Sequence, residues 1–179
     1  MIHNSKTLRA ICAAWLRYTK QCPIVTFERG LNHFDRPDVL AVTDDRRLIE
    51  IEIKISFSDF KADAKKDKWR RQKRGFTVVP AYFYYCVTEE IAPKVLPLLP
   101  DGAGLIVPLL GWSRNQRIMN PNTGLPDLKS LRKASRAHET KLSQRQIWDM
   151  VRNQSGTICG MSAHIALQYA DKINVVSGS

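Results

Sequence analysis

Apolar residues recur along this chain in two rhythms: helical spacing in its first twenty residues and strict alternation around residue 50. Between Ser5 and about Cys22, Leu8, Ile11, Cys12, Trp15 and Leu16 fall on one helical face. That spacing predicts an amphipathic helix, with Ser5 placed to cap its first turn and Pro23 to end it. IVTFE, residues 24–28, predicts a short extended segment, and residues 38–55 read as a hairpin turning near Asp45. Within the hairpin, Ile49, Ile51, Ile53 and Ile55 alternate with Glu50, Glu52 and Lys54, which sends the isoleucines to the core and the three charges to the other face. Ser56 or Ser58 can cap a long helix running to about Arg74, with Gly75 at its end. AYFYYCV, residues 81–87, predicts a strand too apolar to have an exposed face. Residues 89–99 predict a helix shortened or kinked by Pro93 and Pro97, and GLIVPLL, residues 104–110, another buried strand.

Strands separated by helices in this order predict a mixed sheet with helices packed on it, an α/β layered domain. Beyond residue 110 the pattern changes. Residues 114–127 are rich in Asn, Pro and Gly and read as a loop, whereas LKSLRKASRAHETK, residues 128–141, reads as a basic helix. Ser143 opens a clearer helix, SQRQIWDMVRNQ, with Ile147 and Val151 on one face; SAHIALQYADKI predicts a last helix and VVSGS a loose tail. The expected organisation is a core over 1–110 and a basic, largely helical extension over 111–179 packed on it as one globular unit.

Composition narrows the function. The chain has 179 residues, 44% of them hydrophobic, enough for one domain with a real core. With 28 Lys and Arg against 17 Asp and Glu, its net charge of +11 makes a polyanion, nucleic acid foremost, the expected large partner. No apolar run reaches the roughly 18 to 20 residues of a membrane span, and the start has no leader-like apolar region, so a soluble cytoplasmic protein is expected. Cys12, Cys22, Cys86 and Cys159 form no C-x-x-C pair and the four histidines no cluster, which argues for buried free thiols over a zinc site or disulfides. Residues 61–75 carry eight basic side chains wrapped around a helix; Lys61, Lys65, Lys66 and Arg70 are the candidates for phosphate contact and the remainder solubilising charge. Lys129, Arg132, Lys133, Arg136, Lys141 and Arg145 form a second basic group.

A turn near Asp45 pairs Val42 with Leu48, Leu40 with Glu50 and Asp38 with Glu52. Facing carboxylates need a compensating cation, which a divalent metal supplies; Mg²⁺ prefers hard oxygen donors, and Lys54 stands two residues past Glu52. Asp38, Glu52 and Lys54 are thus the parts of a metal-assisted phosphodiester hydrolase. The same alternation also describes an ordinary wet sheet face on which Lys54 neutralises Glu52.

At Pro37-Asp38 and Glu52-Ile53-Lys54 the sequence resembles the PD-(D/E)xK nuclease superfamily. The order ERG, RPDVLAV, IEIEIKISFSDFKADAK, AYFYYCVTEEIAPKVLP and DGAGLIV, across about residues 25–107, is similar to the MmcB-like DNA repair proteins within it. The resemblance implies a restriction-endonuclease-like core, Mg²⁺ or Mn²⁺ held by Asp38, Glu52 and the carbonyl of Ile53, and Lys54 as the catalytic lysine. Glu28 stands where such nucleases often place a further acid. The implied function is a metal-dependent nuclease hydrolysing DNA in repair or in phage or defence-related processing, with a homodimer left open as its assembly. A nuclease fold that binds nucleic acid without cutting it, and a protein-binding adaptor, are the alternatives. Glu50, competing for the same role, is expected behind the site or in solvent.

Overall fold

In the computed structural model, which describes residues 4–27, 37–64, 79–109, 119–156 and 159, the first helix starts one residue earlier than Ser5 suggested. Asn4 is its cap, its side-chain oxygen accepting the Lys6 N–H at 2.8 Å. Helix α1 (Ser5–Ala14) widens into a π-helical turn (Trp15–Thr19) and stops short of Pro23. The chain then reverses through Gln21, whose φ is 57°.

Three antiparallel strands follow, β1 (Ile24–Phe27), β2 (Val39–Val42) and β3 (Leu48–Lys54). The hairpin has the expected register, Val42 facing Leu48 and Leu40 facing Glu50. Its turn closes where Arg46, at φ 67°, donates its N–H to the Thr43 carbonyl at 2.9 Å. Helix α2 (Phe57–Ala64) is capped by Ser56, whose hydroxyl accepts the Asp59 N–H at 3.2 Å. β4 (Tyr82–Val87) runs parallel to β3. After a short helix α3 (Ala92–Val95) and a 3₁₀ turn (Leu96–Leu98), β5 (Gly104–Pro108) runs parallel to β4. Pro93 is accommodated in the first turn of this helix, where an N–H would have no partner, and Pro97, lacking the N–H that would continue it, follows its single turn.

Residues 128–132 depart from the expectation of a basic helix. They form β6 (Leu128–Arg132), antiparallel to β5, and complete a six-stranded mixed sheet in the order β1-β2-β3-β4-β5-β6. Exposed lysine and arginine reveal that a segment faces water but not its backbone state, and here the unpaired edge of the apolar β5 decided it. Arg132 is spent on the fold, its guanidinium donating to the carbonyls of Ala103 at 2.7 Å and Pro100 at 2.6 Å.

Helices cover both faces of the sheet. Leu8, Ile11, Cys12, Trp15 and Leu16 pack against Val39, Ala41, Ile49, Ile51 and Ile53 on one face. Phe60 of α2 and Ala92 and Val95 of α3 pack against Phe83, Tyr85, Val87 and Leu105 on the other. As a consequence β3 is buried along its whole length on both sides, charges included. Ile55 is the exception among the isoleucines, 44% exposed because the strand ends before it.

From β6 the chain returns as an extended strap over 133–142. Ser135 donates its N–H to the Gly102 carbonyl (3.0 Å), Ala137 to Ala81 (2.9 Å) and Leu142 to Arg46 (2.8 Å), each acceptor lying just ahead of a parallel strand. The strap therefore closes the amino ends of β3, β4 and β5 and leaves their carboxyl ends, at Lys54, Val87 and Pro108, on the opposite side of the unit.

Met1–Leu142 form one compact unit and Ser143–Ser179 another, so the sheet-bearing unit runs past the boundary expected near residue 110. In the second unit, helix α4 (144–156) opens with reciprocal caps: Gln146 donates its N–H to the Ser143 hydroxyl at 3.3 Å, and its side-chain oxygen accepts the Ser143 N–H at 2.8 Å. The last helix expected from SAHIALQYADKI lies outside the described residues. No helix among the described residues is long and apolar enough to cross a membrane.

Candidate functional site

Two residues before its end, β3 carries Glu52, and at its end Lys54; both side chains are buried. The Lys54 ammonium lies 3.4 Å from Glu52 Oε2 and 3.3 Å from Asp63 Oδ1. Asp63 reaches it from α2, where it sits three residues past Phe60 and so faces the sheet from the same side. Its second oxygen accepts the Tyr85 hydroxyl at 3.1 Å, and the Phe60 ring packs edge-on to Tyr85 at 5.1 Å between centroids. Parallel register sets Tyr85 directly beside Glu52 and Val87 beside Lys54.

Charges this far from water persist only when paired, because desolvation costs several kcal/mol per ion. Burial by itself pulls the Lys54 pKa down, but the negative charges of Glu52, Asp63 and Asp59 outweigh it and hold it above the ordinary lysine value. Lys54 is therefore an ammonium throughout the neutral range.

Asp38 stands in a bend one residue ahead of β2, whose first pair with β3 is Val39–Ile51. Its Oδ2 accepts the Ile53 backbone N–H at 2.8 Å, so the side chain takes over a ladder position that β2 leaves open. Its Oδ1 meets the Arg9 guanidinium of α1 at 3.3 Å. Each of the two acids has a cation within the chain, Arg9 for Asp38 and Lys54 for Glu52. Among the described residues no group of three or more His, Cys, Asp or Glu side chains is gathered as a metal cage. Mg²⁺, however, is commonly held by one or two carboxylates and otherwise by water, and Asp38, Glu52 and the Ile53 carbonyl are hard oxygen donors suited to it.

The other candidates divide. Glu50 is 2% exposed, which rules out solvent for it; with a helical layer over that face, the strand has no wet side to offer. Lys61 is exposed, its ammonium 5.0 Å above the Phe57 ring. Glu28, Lys65, Lys66 and Arg70 lie outside the described residues. In the second basic group, Arg136 is paired with Glu139, while Lys129, Lys133 and Lys141 are exposed. Cys12, Cys22 and Cys86 are buried thiols as expected, whereas Cys159 is exposed.

The resemblance allows Asp63, in the run SFSDFKADAK, to edge the site from the helix, whereas nothing in the sequence singled out Arg9 or Tyr85. For Asp63 a signal existed: an acid three residues after Phe60 on a face that must meet the sheet. Arg9 flanks the apolar stripe of α1 and carries no comparable mark.

No family model matches the chain, and no curated protein matches it. Among solved structures it is similar to the SPO1766 protein of unknown function from Silicibacter pomeroyi, with a TM-score of 0.55 and 20% identity over 88% of this chain and 87% of that one. That likeness establishes a shared α/β fold, a mixed sheet flanked by helices.

Proposed function

We propose that this chain is a divalent-metal-dependent nuclease acting on DNA at the carboxyl end of β3. The observation that carries the reading is the buried Lys54 ammonium, bracketed by Glu52 and Asp63 at the end of a strand whose preceding residue, Ile53, has its backbone amide held by Asp38. Burying three charged groups is a poor route to stability, and such clusters concentrate at functional sites. Ligands of open α/β sheets bind beyond the carboxyl ends of the strands, the end the strap leaves clear.

Asp38, Glu52 and the Ile53 carbonyl would hold Mg²⁺ or Mn²⁺, which supplies activation of water and neutralisation of phosphate charge. Lys54, kept protonated by its acidic neighbours, serves as a hydrogen-bond donor toward charge developing on the phosphate and not as a base. The excess of positive charge draws the polyanion in, with Lys61 exposed on α2 and Lys65, Lys66 and Arg70 following in sequence. The reading carries with it a cytoplasmic protein working in DNA repair or defence, as a monomer or homodimer.

One contact favours a second reading. Arg9 already supplies Asp38 with the positive charge a metal would bring, as expected of a nuclease fold that binds nucleic acid without cutting it. Incubating the protein with circular and linear, single- and double-stranded DNA in Mg²⁺, Mn²⁺ or EDTA separates the two. Metal-dependent cleavage lost in Lys54→Ala supports the nuclease; tight binding with the DNA left intact under every metal condition replaces it with the binding module.

A further inference from the structure

We propose that Asp63, anchored by the Tyr85 hydroxyl, is the residue that positions the Lys54 ammonium at the carboxyl end of β3; as a role in catalysis this rests on the nuclease reading above. Lys54 has two acidic partners at nearly equal distance, Glu52 at 3.4 Å and Asp63 at 3.3 Å, but they are not equivalent. Glu52 shares the strand with Lys54 and is the acid expected to turn toward a metal ion, an oxygen of which would then be withdrawn from the lysine. Asp63 comes from a different element, on a short side chain with few rotamers. Its Oδ1 faces the Lys54 ammonium as an ion pair and its Oδ2 accepts the Tyr85 hydroxyl. Tyr85 stands on β4 in register with Glu52, and its ring is wedged against Phe60 and Phe83, each at 5.1 Å between centroids. The hydroxyl is therefore a fixed point, and the chain Tyr85–Asp63–Lys54 ties helix, neighbouring strand and lysine into one unit. An acid that merely neutralised a buried lysine would need no such anchor.

The test reads Lys54 itself. Lysine labelled with ¹³C at Cε is followed by NMR relaxation, the Lys54 signal being the one missing from Lys54→Arg. Asp63→Asn should lower the order parameter of the Lys54 Cε from the rigid range toward that of exposed lysines, and Tyr85→Phe should lower it less, in the same direction. An unchanged Lys54 order parameter in a natively folded Asp63→Asn protein overturns the proposal. Where Asp63→Asn fails to fold, Tyr85→Phe decides, and an unchanged order parameter there overturns it equally. With DNA and metal, Asp63→Asn should lose at least about tenfold in kcat with KM within a few-fold, and Asp63→Glu should recover part of the loss. A raised KM at unchanged kcat would assign Asp63 to binding and reject positioning. Should wild type cleave nothing, the nuclease reading fails, while the NMR relaxation still decides whether Asp63 holds Lys54.

Discussion

Ile53 donates its backbone N–H to Asp38 Oδ2 across 2.8 Å, so an acidic side chain stands in for a backbone carbonyl where β2 begins. The contact fixes Asp38 at the end of the strand that carries Glu52 and Lys54, and Arg9, at 3.3 Å from the other oxygen, balances its charge. Whether that carboxylate serves a metal or only the hairpin is open to direct measurement.

If Arg9 and a metal ion compete for Asp38, removing Arg9 frees an oxygen for the ion. Mg²⁺ or Mn²⁺ should raise the melting temperature of wild type, raise that of Arg9→Ala more, and leave Asp38→Asn unmoved. Equal shifts in all three by differential scanning fluorimetry would remove Asp38 from any metal site.

Lys54 should matter for stability in a pH-dependent way. Its folded-state pKa is raised above the ordinary value of 10.5, so its contribution is complete below that value and is lost as pH rises through the folded-state value. Lys54→Met, which leaves Glu52 and Asp63 buried without their cation, should cost about 3 to 5 kcal/mol at pH 7 in urea unfolding. The gap between wild type and the variant should close on the alkaline side; a gap independent of pH would mean that packing, not charge, is what was lost.

The four thiols should fall into two classes. Burial, aided by the nearby negative charge of Asp44, pushes the Cys22 thiol up to about 11. Burial likewise raises Cys12, with Cys86 and Asp38 adding to it. Only Cys159 should react quickly with a maleimide in the native protein, and mass spectrometry should show a single fast addition. Rapid labelling of Cys12 would show that α1 opens from the sheet.

Gly104 lets β5 and the strap approach closely. A Cβ there would run into the Tyr84 ring and lie 2.7 Å from the Ala134 backbone nitrogen. Gly104→Ala should destabilise by about 1 to 3 kcal/mol or more, since backbone sits on one side of the clash. A variant as stable as wild type in thermal melts would mean that this approach relaxes without cost.

Electrostatic binding of DNA should fall steeply with salt. The log–log slope should change by about one on removing a lysine that contacts a phosphate, and Lys61→Ala tests the one member of the candidate group Lys61, Lys65, Lys66 and Arg70 among the described residues. Binding indifferent to salt would dismiss the polyanion and bring forward a protein partner.

What the sequence alone determined is what local spacing controls. The hairpin register follows from the alternation of isoleucine with charge and from the turn at Thr43–Arg46, because slipping by one residue would turn every isoleucine away from the core. The face of α1 follows from Leu8, Ile11, Cys12, Trp15 and Leu16 at helical spacing, and the start of α2 from Ser56. Tertiary structure decided the rest. Residues 128–132 carry no strand signal of their own and became β6 because β5 had an edge to pair. Glu50, Glu52 and Lys54 were readable as a wet face until α2 and α3 closed over them. The pairing of Lys54 with Asp63, nine positions on, and of Asp38 with Arg9, twenty-nine positions back, depends on how helices lie across a sheet. Sequence spacing encodes which face a residue takes on its own element, but not which charge from another element will meet it there.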